Sequence, residues 1–355
     1  MGRKMGFGIM GCGMISEFHI NAVDALSDRA RLVGITDSVR DSAERMSLRH
    51  GGLKIFDSVD DMLSCREINA VCICVPSGYH ADMIIKAASS KKHIIVEKPL
   101  AITKEQLDDI EKAVEENGVT LAVISQLRFA KDIKRAKYSI DSGELGKIVC
   151  ADMYMKYYRS QEYYDSGAWR GTKKLDGGGA LMNQGIHGVD LLQYLAGQIK
   201  SVFAFSKTLS RKIEVEDTLC ASIEFDSGAI GVIQATTSVY PGYPRRIEIN
   251  GDKGSVCIEE TAMTRMDIAG NSAEDLTFRP SFASGASVAM NISNDYHTLQ
   301  ISDFIDAVKE KRKPAVDVRE GRKAVDAILA IYKSAREERR VFIEELNPKP
   351  NNDYC

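Results

Sequence analysis

Gly6-Phe-Gly-Ile-Met10, running directly into Gly11-Cys-Gly13-Met-Ile-Ser16-Glu-Phe-His19, is the stretch on which the reading of this chain turns. The first five residues are apolar or glycine with no polar alternation, the pattern of a short strand covered on both faces. Beyond the turn, Ile15, Phe18, Ala22 and Leu26 recur with the period of a helix. A strand, a G-x-G-x-x-S turn and a helix in that order form the opening of a dinucleotide-binding βαβ unit. In it Gly11 permits the tight turn, Gly13 lets the backbone approach a pyrophosphate, and the small Ser16 allows close helix–strand packing. The helix N-terminus at Met14 and Ile15 offers free N–H groups to the phosphates. The pattern alone is weak; its position between strand and helix gives it weight. Asp37 closes the next apolar run, Arg31–Thr36, where a carboxylate hydrogen-bonds a ribose 2′-hydroxyl and repels a 2′-phosphate. NAD is therefore favoured over NADP, with Arg40 nearby as a softening influence.

Working outward, three more Val- and Ile-rich runs follow (Val71–Val75, His93–Val96 and Thr120–Ile124), separated by helical patterns, one of them opened by the capping-box sequence Thr103-Lys-Glu-Gln106. This alternation predicts an α/β domain, a Rossmann doubly wound parallel sheet, over residues 1–126. After Gln126 the texture changes. A helix over 130–142 leads to a strand at Lys147–Lys156, and a helix over 178–196 stops at Gly197. Then come strand-like stretches at Val202–Leu209, Thr218–Phe225, Ile230–Ser238, Arg246–Asn250 and Ser255–Glu259, divided by turns such as Asp226-Ser-Gly228. The second half, 127–346, is thus an α+β domain with a large, mainly antiparallel open sheet. Two helices close it, marked by Ile301, Phe304, Ile305 and Val308 and by Val325, Ile328, Leu329 and Tyr332, with Asp317-Val-Arg-Glu320 as a helix cap. The tail 347–355 reads as loose.

Composition sets the outer bounds. At 355 residues two domains are expected. A net charge of −3 gives no concentrated basic face for nucleic acid or an anionic membrane. Apolar runs such as Ala70–Pro76 are too short to span a bilayer, and the N-terminus lacks a leader-like apolar core, so the expectation is a cytoplasmic protein. Eight cysteines without a CxxC read as reduced structural thiols.

Two segments carry chemistry. Glu97-Lys98-Pro99 lies at the carboxyl end of a predicted parallel strand, where α/β proteins bind ligands. Asp176-Gly-Gly-Gly-Ala-Leu-Met-Asn183-Gln-Gly-Ile-His187-Gly-Val-Asp190 places Asn183, His187 and Asp190 at helical spacings that share a face. By itself this second block reads more readily as an N-capped helix with a satisfied histidine than as a site. A zinc site at His187 and Asp190 lacks a third ligand, so no metal is expected.

The chain resembles the glucose–fructose oxidoreductase / inositol dehydrogenase / MocA family over essentially its whole length. The shared elements are Gly11-x-Gly13-x-x-Ser16-x-x-His19, Asp37, Pro76 followed by His80, Glu97-Lys98-Pro99, the Gly177…Asn183…His187…Asp190 block, and Phe304…Arg319-Glu-Gly-Arg322. The resemblance implies cofactor contacts at Gly11, Gly13, Met14, Ile15, Asp37, Arg40, Pro76, His80, Glu97 and Lys98. It also implies catalysis by Lys98 and His187, with Asn183 standing where the family often has Asp. It further implies an open second-domain sheet that forms a dimer or tetramer interface. The chemistry suits these residues, since histidine can take the hydroxyl proton and lysine can stabilise an alkoxide. Arg159-Ser-Gln-Glu-Tyr-Tyr164 and Trp169-Arg170 add aromatic faces and guanidinium groups for a sugar-like substrate. Arg159, Tyr163, Trp169, Arg170, Asn183 and Asp190 are accordingly candidate substrate contacts. The leading expectation is an NAD-dependent dehydrogenase for a secondary alcohol of a sugar, cyclitol or sugar derivative. The alternatives are a UDP-sugar-acid 3-dehydrogenase of the same fold and a non-catalytic regulator that senses NAD or sugar. Intact Lys98 and His187 argue against the regulator.

Overall fold

Runs that are apolar at every position have no polar edge to turn to water, and in a computed structural model of the chain they form buried parallel strands. The structure describes residues 4–270 and 294–346, so the tail expected at 347–355 lies outside it. The described residues group into two compact units, 4–129 with 294–322, and 130–270 with 323–346.

In the first unit, β1 (Met5–Met10), β2 (Ala30–Thr36), β3 (Ala70–Ile73), β4 (His93–Val96) and β5 (Leu121–Val123) form one sheet in the order β2-β1-β3-β4-β5. All its neighbouring strands pair in parallel. A parallel bridge between Ile35 and Ile55 adds an outer strand position beyond β2. With that position counted, the order is that of the dinucleotide-binding doubly wound sheet, and it reverses between β1 and β3, where such sheets bind ligands. Thr103 caps the helix Lys104–Asn117 by accepting from the Gln106 N–H, while Gln106 reaches back to the Ile102 N–H at 3.1 Å. The helix Asn294–Glu310 buries Ile301, Phe304 and Ile305 in the same core as Phe7, Ile9 and Ile20, with the rings of Phe7 and Phe304 6.3 Å apart. Burying each such side chain stabilises the fold by about 1.5–3 kcal/mol. At the start of the helix Val318–Glu337, Asp317 accepts from the Glu320 N–H at 2.9 Å, and the Glu320 carboxylate pairs with Arg128.

The second unit is built on an eight-stranded sheet: β6 (Ile148–Tyr158), β7 (Ile199–Lys207), β8 (Thr218–Phe225), β9 (Ile230–Thr236), β10 (Ser238–Gly251), β11 (Gly254–Glu259), β12 (Ala262–Ile268) and β13 (Val341–Phe342). Its order is β12-β11-β10-β6-β9-β8-β7-β13. Only β6 and β9 pair in parallel; the other neighbours are antiparallel. Alternate residues of β7 are buried and exposed. In register, Phe205 stands opposite Cys220 and Cys220 opposite Gln234, while Phe203 stands opposite Ser222 and Ser222 opposite Val232. This face leaves Phe203, Phe205 and Ile230 in water.

The helix expected over 178–196 exists but is not uniform. Ala180–Gly185 forms a π-helical segment, and the α-helix runs from Ile186 to Ala196. Single π turns of this kind occur preferentially at functional sites.

Candidate active site

In the first unit, the turn after β1 has the geometry its glycines foretell. Gly11 has φ of +93°, and a Cβ there would strike the Cys74 carbonyl oxygen at 2.6 Å. A Cβ on Gly13 would meet nothing within 4 Å, so the backbone there is open to an approaching group. Gly13 precedes the helix Met14–Ala25, whose first residues Met14 and Ile15 reach the surface, while Ser16 is buried. Asp37 is tied to this turn. One carboxylate oxygen accepts from the Cys12 N–H at 2.6 Å, the other from the Val39 N–H at 2.7 Å. The Arg40 guanidinium is held by Glu44 at 3.0 Å and Asp57 at 2.9 Å. Burial, with Asp37 beside it, pushes the Cys12 thiol up to about 12, so this cysteine in the turn stays protonated and unreactive. The seven cysteines among the described residues are all free thiols.

Glu97, Lys98 and Pro99 follow β4. Glu97 is buried and Lys98 half-exposed. His80, just after Pro76 and a single 3-10 turn, is also buried. Its ring nitrogens lie 2.7 Å from the Pro99 carbonyl oxygen and 2.9 Å from that of Val75. His80 thus clasps two strand-end segments through their backbone.

In the second unit, the π segment carrying Asn183 is seated by two groups outside any motif, Glu216 and Tyr332. Gly179 packs so close that a Cβ would lie 1.8 Å from the Glu216 carbonyl oxygen. The buried Glu216 carboxylate accepts from the Gly179 N–H at 2.8 Å, the Leu181 N–H at 2.9 Å and the Tyr332 hydroxyl at 2.8 Å. Burial raises the Glu216 pKa against the pull of these donors.

Asn183, Gln184 and His187 remain partly open to solvent on a segment whose other residues from Ala180 to Leu192 are buried, Asp190 included. Asn183 and Gln184 sit in a continuous polar network. The Asn183 amide donates to Asp176, whose other oxygen accepts from the Gly171 N–H at 2.8 Å. Gln184 donates to the Asn183 carbonyl oxygen at 2.8 Å and to the Tyr163 hydroxyl at 3.1 Å, and accepts from Arg159 at 2.9 Å. Arg170 donates to the Tyr163 hydroxyl at 2.5 Å and stacks over the Tyr163 and Trp169 rings, 4.3 and 4.6 Å from their centroids. The loop residues Arg159, Tyr163, Trp169 and Arg170 are thereby joined to the helix residue Asn183. Asp176 and Gln184, both inside the quoted motif, are the members of this network that sequence reasoning left unassigned. The arrangement offers hydroxyl-binding amides, a histidine and two guanidinium groups on an aromatic floor.

Comparison with known proteins agrees with both halves. Residues 5–125 match the model of an oxidoreductase family with an NAD-binding Rossmann fold, and residues 133–257 match the GFO/IDH/MocA C-terminal domain. The chain is 27% identical to the myo-inositol 2-dehydrogenase of Thermotoga maritima, over 96% of this chain and 99% of that one. It is 29% identical to the NAD-dependent scyllo-inositol 2-dehydrogenase of Bacillus subtilis, over 87% of each. Among solved structures, the WlbA dehydrogenase of Bordetella pertussis, in complex with NADH and UDP-GlcNAcA, is 34% identical with a TM-score of 0.85, covering 96% of this chain and 98% of that one.

Proposed function

The chain belongs to the Gfo/Idh/MocA family of NAD-dependent oxidoreductases, and from that premise we propose that it oxidises a secondary alcohol of a sugar, cyclitol or sugar derivative. The observation that carries the substrate class is the network joining Asn183 and Gln184, beside His187, to Arg159, Tyr163, Trp169 and Arg170. Such a surface suits a ligand with many hydroxyls and apolar C–H faces. In this reading His187 takes the hydroxyl proton and Lys98 stabilises the developing alkoxide, while Asn183, fixed by Asp176, orients a neighbouring hydroxyl. When bound, NAD supplies the hydride acceptor, held by the Gly11–Gly13 turn, the N–H groups at Met14 and Ile15, and Asp37. The test is a panel of inositols, glucosides and UDP-linked sugar acids with NAD, followed by NADH absorbance. Failure of every member to reduce NAD would refute the substrate class.

A second, finer reading is a dehydrogenase for a UDP-linked sugar acid. It is favoured by the 34% identity to WlbA, whose solved complex held UDP-GlcNAcA, and by two guanidinium groups suited to a carboxylate. Preference for the UDP-sugar acid over free inositols by about tenfold or more in kcat/KM, or 1.4 kcal/mol, would select this reading.

NAD is expected to bind at least about tenfold more tightly than NADP, which again needs only about 1.4 kcal/mol of discrimination. The Asp37 carboxylate repels a 2′-phosphate, and Arg40, occupied by Glu44 and Asp57, is not poised to receive one. Calorimetric titration with each cofactor checks this, and equal or tighter NADP binding would remove Asp37 from the ribose.

The open face of the second unit's sheet, with Phe203 at 40%, Phe205 at 63% and Ile230 at 63% exposure, is assigned to a subunit interface. Light scattering at micromolar concentration is expected to give a dimer or tetramer, and a monomer would contradict the assignment. A cytoplasmic location accords with the free thiols. No helix among the described residues is long and apolar enough to cross a membrane.

A further inference from the structure

Directly under Glu97-Lys98 lies a cluster that the reaction as described does not use. The Glu97 carboxylate is buried, and one oxygen lies 2.9 Å from Nε2 of His19. The same oxygen lies 3.7 Å from Nε2 of His297, and the other oxygen accepts from the Lys98 N–H at 3.3 Å. His19 comes from the helix that follows the glycine turn, His297 from the helix Asn294–Glu310, and both are fully buried. Their rings meet edge-on at 5.6 Å, and Phe18 covers His297 at 5.3 Å.

At 3.7 Å the His297 contact is electrostatic rather than a hydrogen bond. Neither ring nitrogen of His297, nor Nδ1 of His19, has another partner among the described residues. Leaving buried polar atoms unpaired is costly, so an imidazole kept here without a partner calls for a reason beyond filling space. Nor can the pair be a plain core contact, because an isolated buried carboxylate is tolerated only when donors hold it. Burial works against the charge on Glu97, yet the two imidazoles outweigh it and keep the carboxyl well below its usual range. Burial drives His19 the other way, toward the neutral form that donates one N–H. The remaining titratable groups facing Glu97 are the buried thiols of Cys72 on β3 and Cys74 just beyond it, His80, and Lys98 itself. Among the described residues, this triad is also the one group of ligand-type side chains close enough to hold a metal ion. The 2.9 Å His19–Glu97 separation is what an N–H···O hydrogen bond requires, and a bound cation would replace it.

We propose that His19 and His297 are positioning residues for hydride transfer: they hold the Glu97 carboxylate, which fixes the backbone of Lys98 and sets a buried negative charge one residue from its ammonium. The proposal rests on the assignment of Lys98 to the reaction. The negative charge favours the protonated lysine that alkoxide stabilisation needs. His19 thereby ties the helix that follows the glycine turn to the strand end that carries Lys98.

The experiment has one arm that needs no substrate. In protein labelled with ¹⁵N-histidine, six ring systems are present, and single variants assign His19 and His297. His19, which burial drives toward the neutral form, is expected to keep one neutral, Nε2-protonated tautomer through the range in which an ordinary imidazole titrates. Titration of His19 within that range would overturn the proposal, and so would a stoichiometric metal ion in the purified protein, which would make the triad a metal site. The second arm compares His19→Leu and His297→Leu with His19→Gln and His297→Gln, which keep an N–H donor. With the alcohol found in the panel, the Leu variants should lose about 10–100-fold in kcat at nearly constant KM, the scale of a small misplacement of a reacting group. The Gln variants should recover most of that loss. NADH affinity, read from its fluorescence, should stay within about threefold throughout, since the phosphate and ribose contacts are untouched. Leu and Gln variants with equal activity would refute a positioning role. A silent substrate panel with unperturbed histidine spectra would instead refute the substrate class and leave the triad standing.

Discussion

Replacing His187 by asparagine is expected to lower turnover by about 10²–10⁴-fold on any substrate the enzyme accepts, because it deletes the group assigned to receive the hydroxyl proton. Asparagine is close in size and polar, so the half-exposed position at the start of the α-helix Ile186–Ala196 should tolerate it without unfolding. The neighbours that fix the segment, Glu216 and Tyr332, act on Gly179, Leu181 and Met182 and are untouched. The signature is therefore a loss in kcat without a loss in thermal stability. The pH–rate profile gives a second check. Protonation removes a histidine base, so the wild-type rate should fall on the acid side of its pKa, and that limb should vanish in the variant. A variant that keeps the acid limb and near-normal turnover would take His187 out of the mechanism.

Lys98→Met is expected to cost about 10²–10³-fold in turnover, the usual loss when an electrostatic donor to a developing oxyanion is removed. Methionine keeps much of the length of the lysine stem but carries no charge. Glu97 would still be held by His19, and the Lys98 backbone N–H would still reach its carboxylate, so the fold around the strand end should persist. NAD affinity should change little, because the pyrophosphate and ribose determinants lie at Gly11–Gly13 and Asp37. Stopped-flow turnover and calorimetric NAD titration on the same variant separate the two effects. If Lys98→Met and His187→Asn both turn over normally on a verified substrate, the active site is elsewhere.

The parallel sheet was legible because its strands are nearly continuous apolar runs, with Arg31, Thr36 and His93 only at or near the strand ends, and the G-x-G-x-x-S turn could be placed between one such run and a helical pattern. The second sheet was less so. The expectation of a strand at Arg246–Asn250 captured only the end of β10, which runs from Ser238 to Gly251. Pro241, Gly242 and Pro244 disguise its first half, where the register with β6 slips. β12 was missed outright, since Ala262–Ile268 shows little alternation to read. At the site, spacing identified Asn183 and His187, but a uniform helix was the only geometry that spacing could suggest. The π segment depends on Glu216 and Tyr332, brought to the backbone from far along the chain. His297 is 200 residues from Glu97 and carries no motif, so only the fold could reveal that contact.

The return of residues 294–322 to the first unit has a practical consequence for anyone recombining such enzymes. A fragment cut at residue 126, where the sequence changes texture, would carry the five parallel strands but lose Ile301, Phe304 and Ile305, and with them the partners of Phe7, Ile9 and Ile20. The nucleotide-binding half is consequently not a cassette that a single crossover can exchange. A chimera meant to change cofactor choice must transplant two separate stretches together, and one of them ends inside the continuous helix Val318–Glu337.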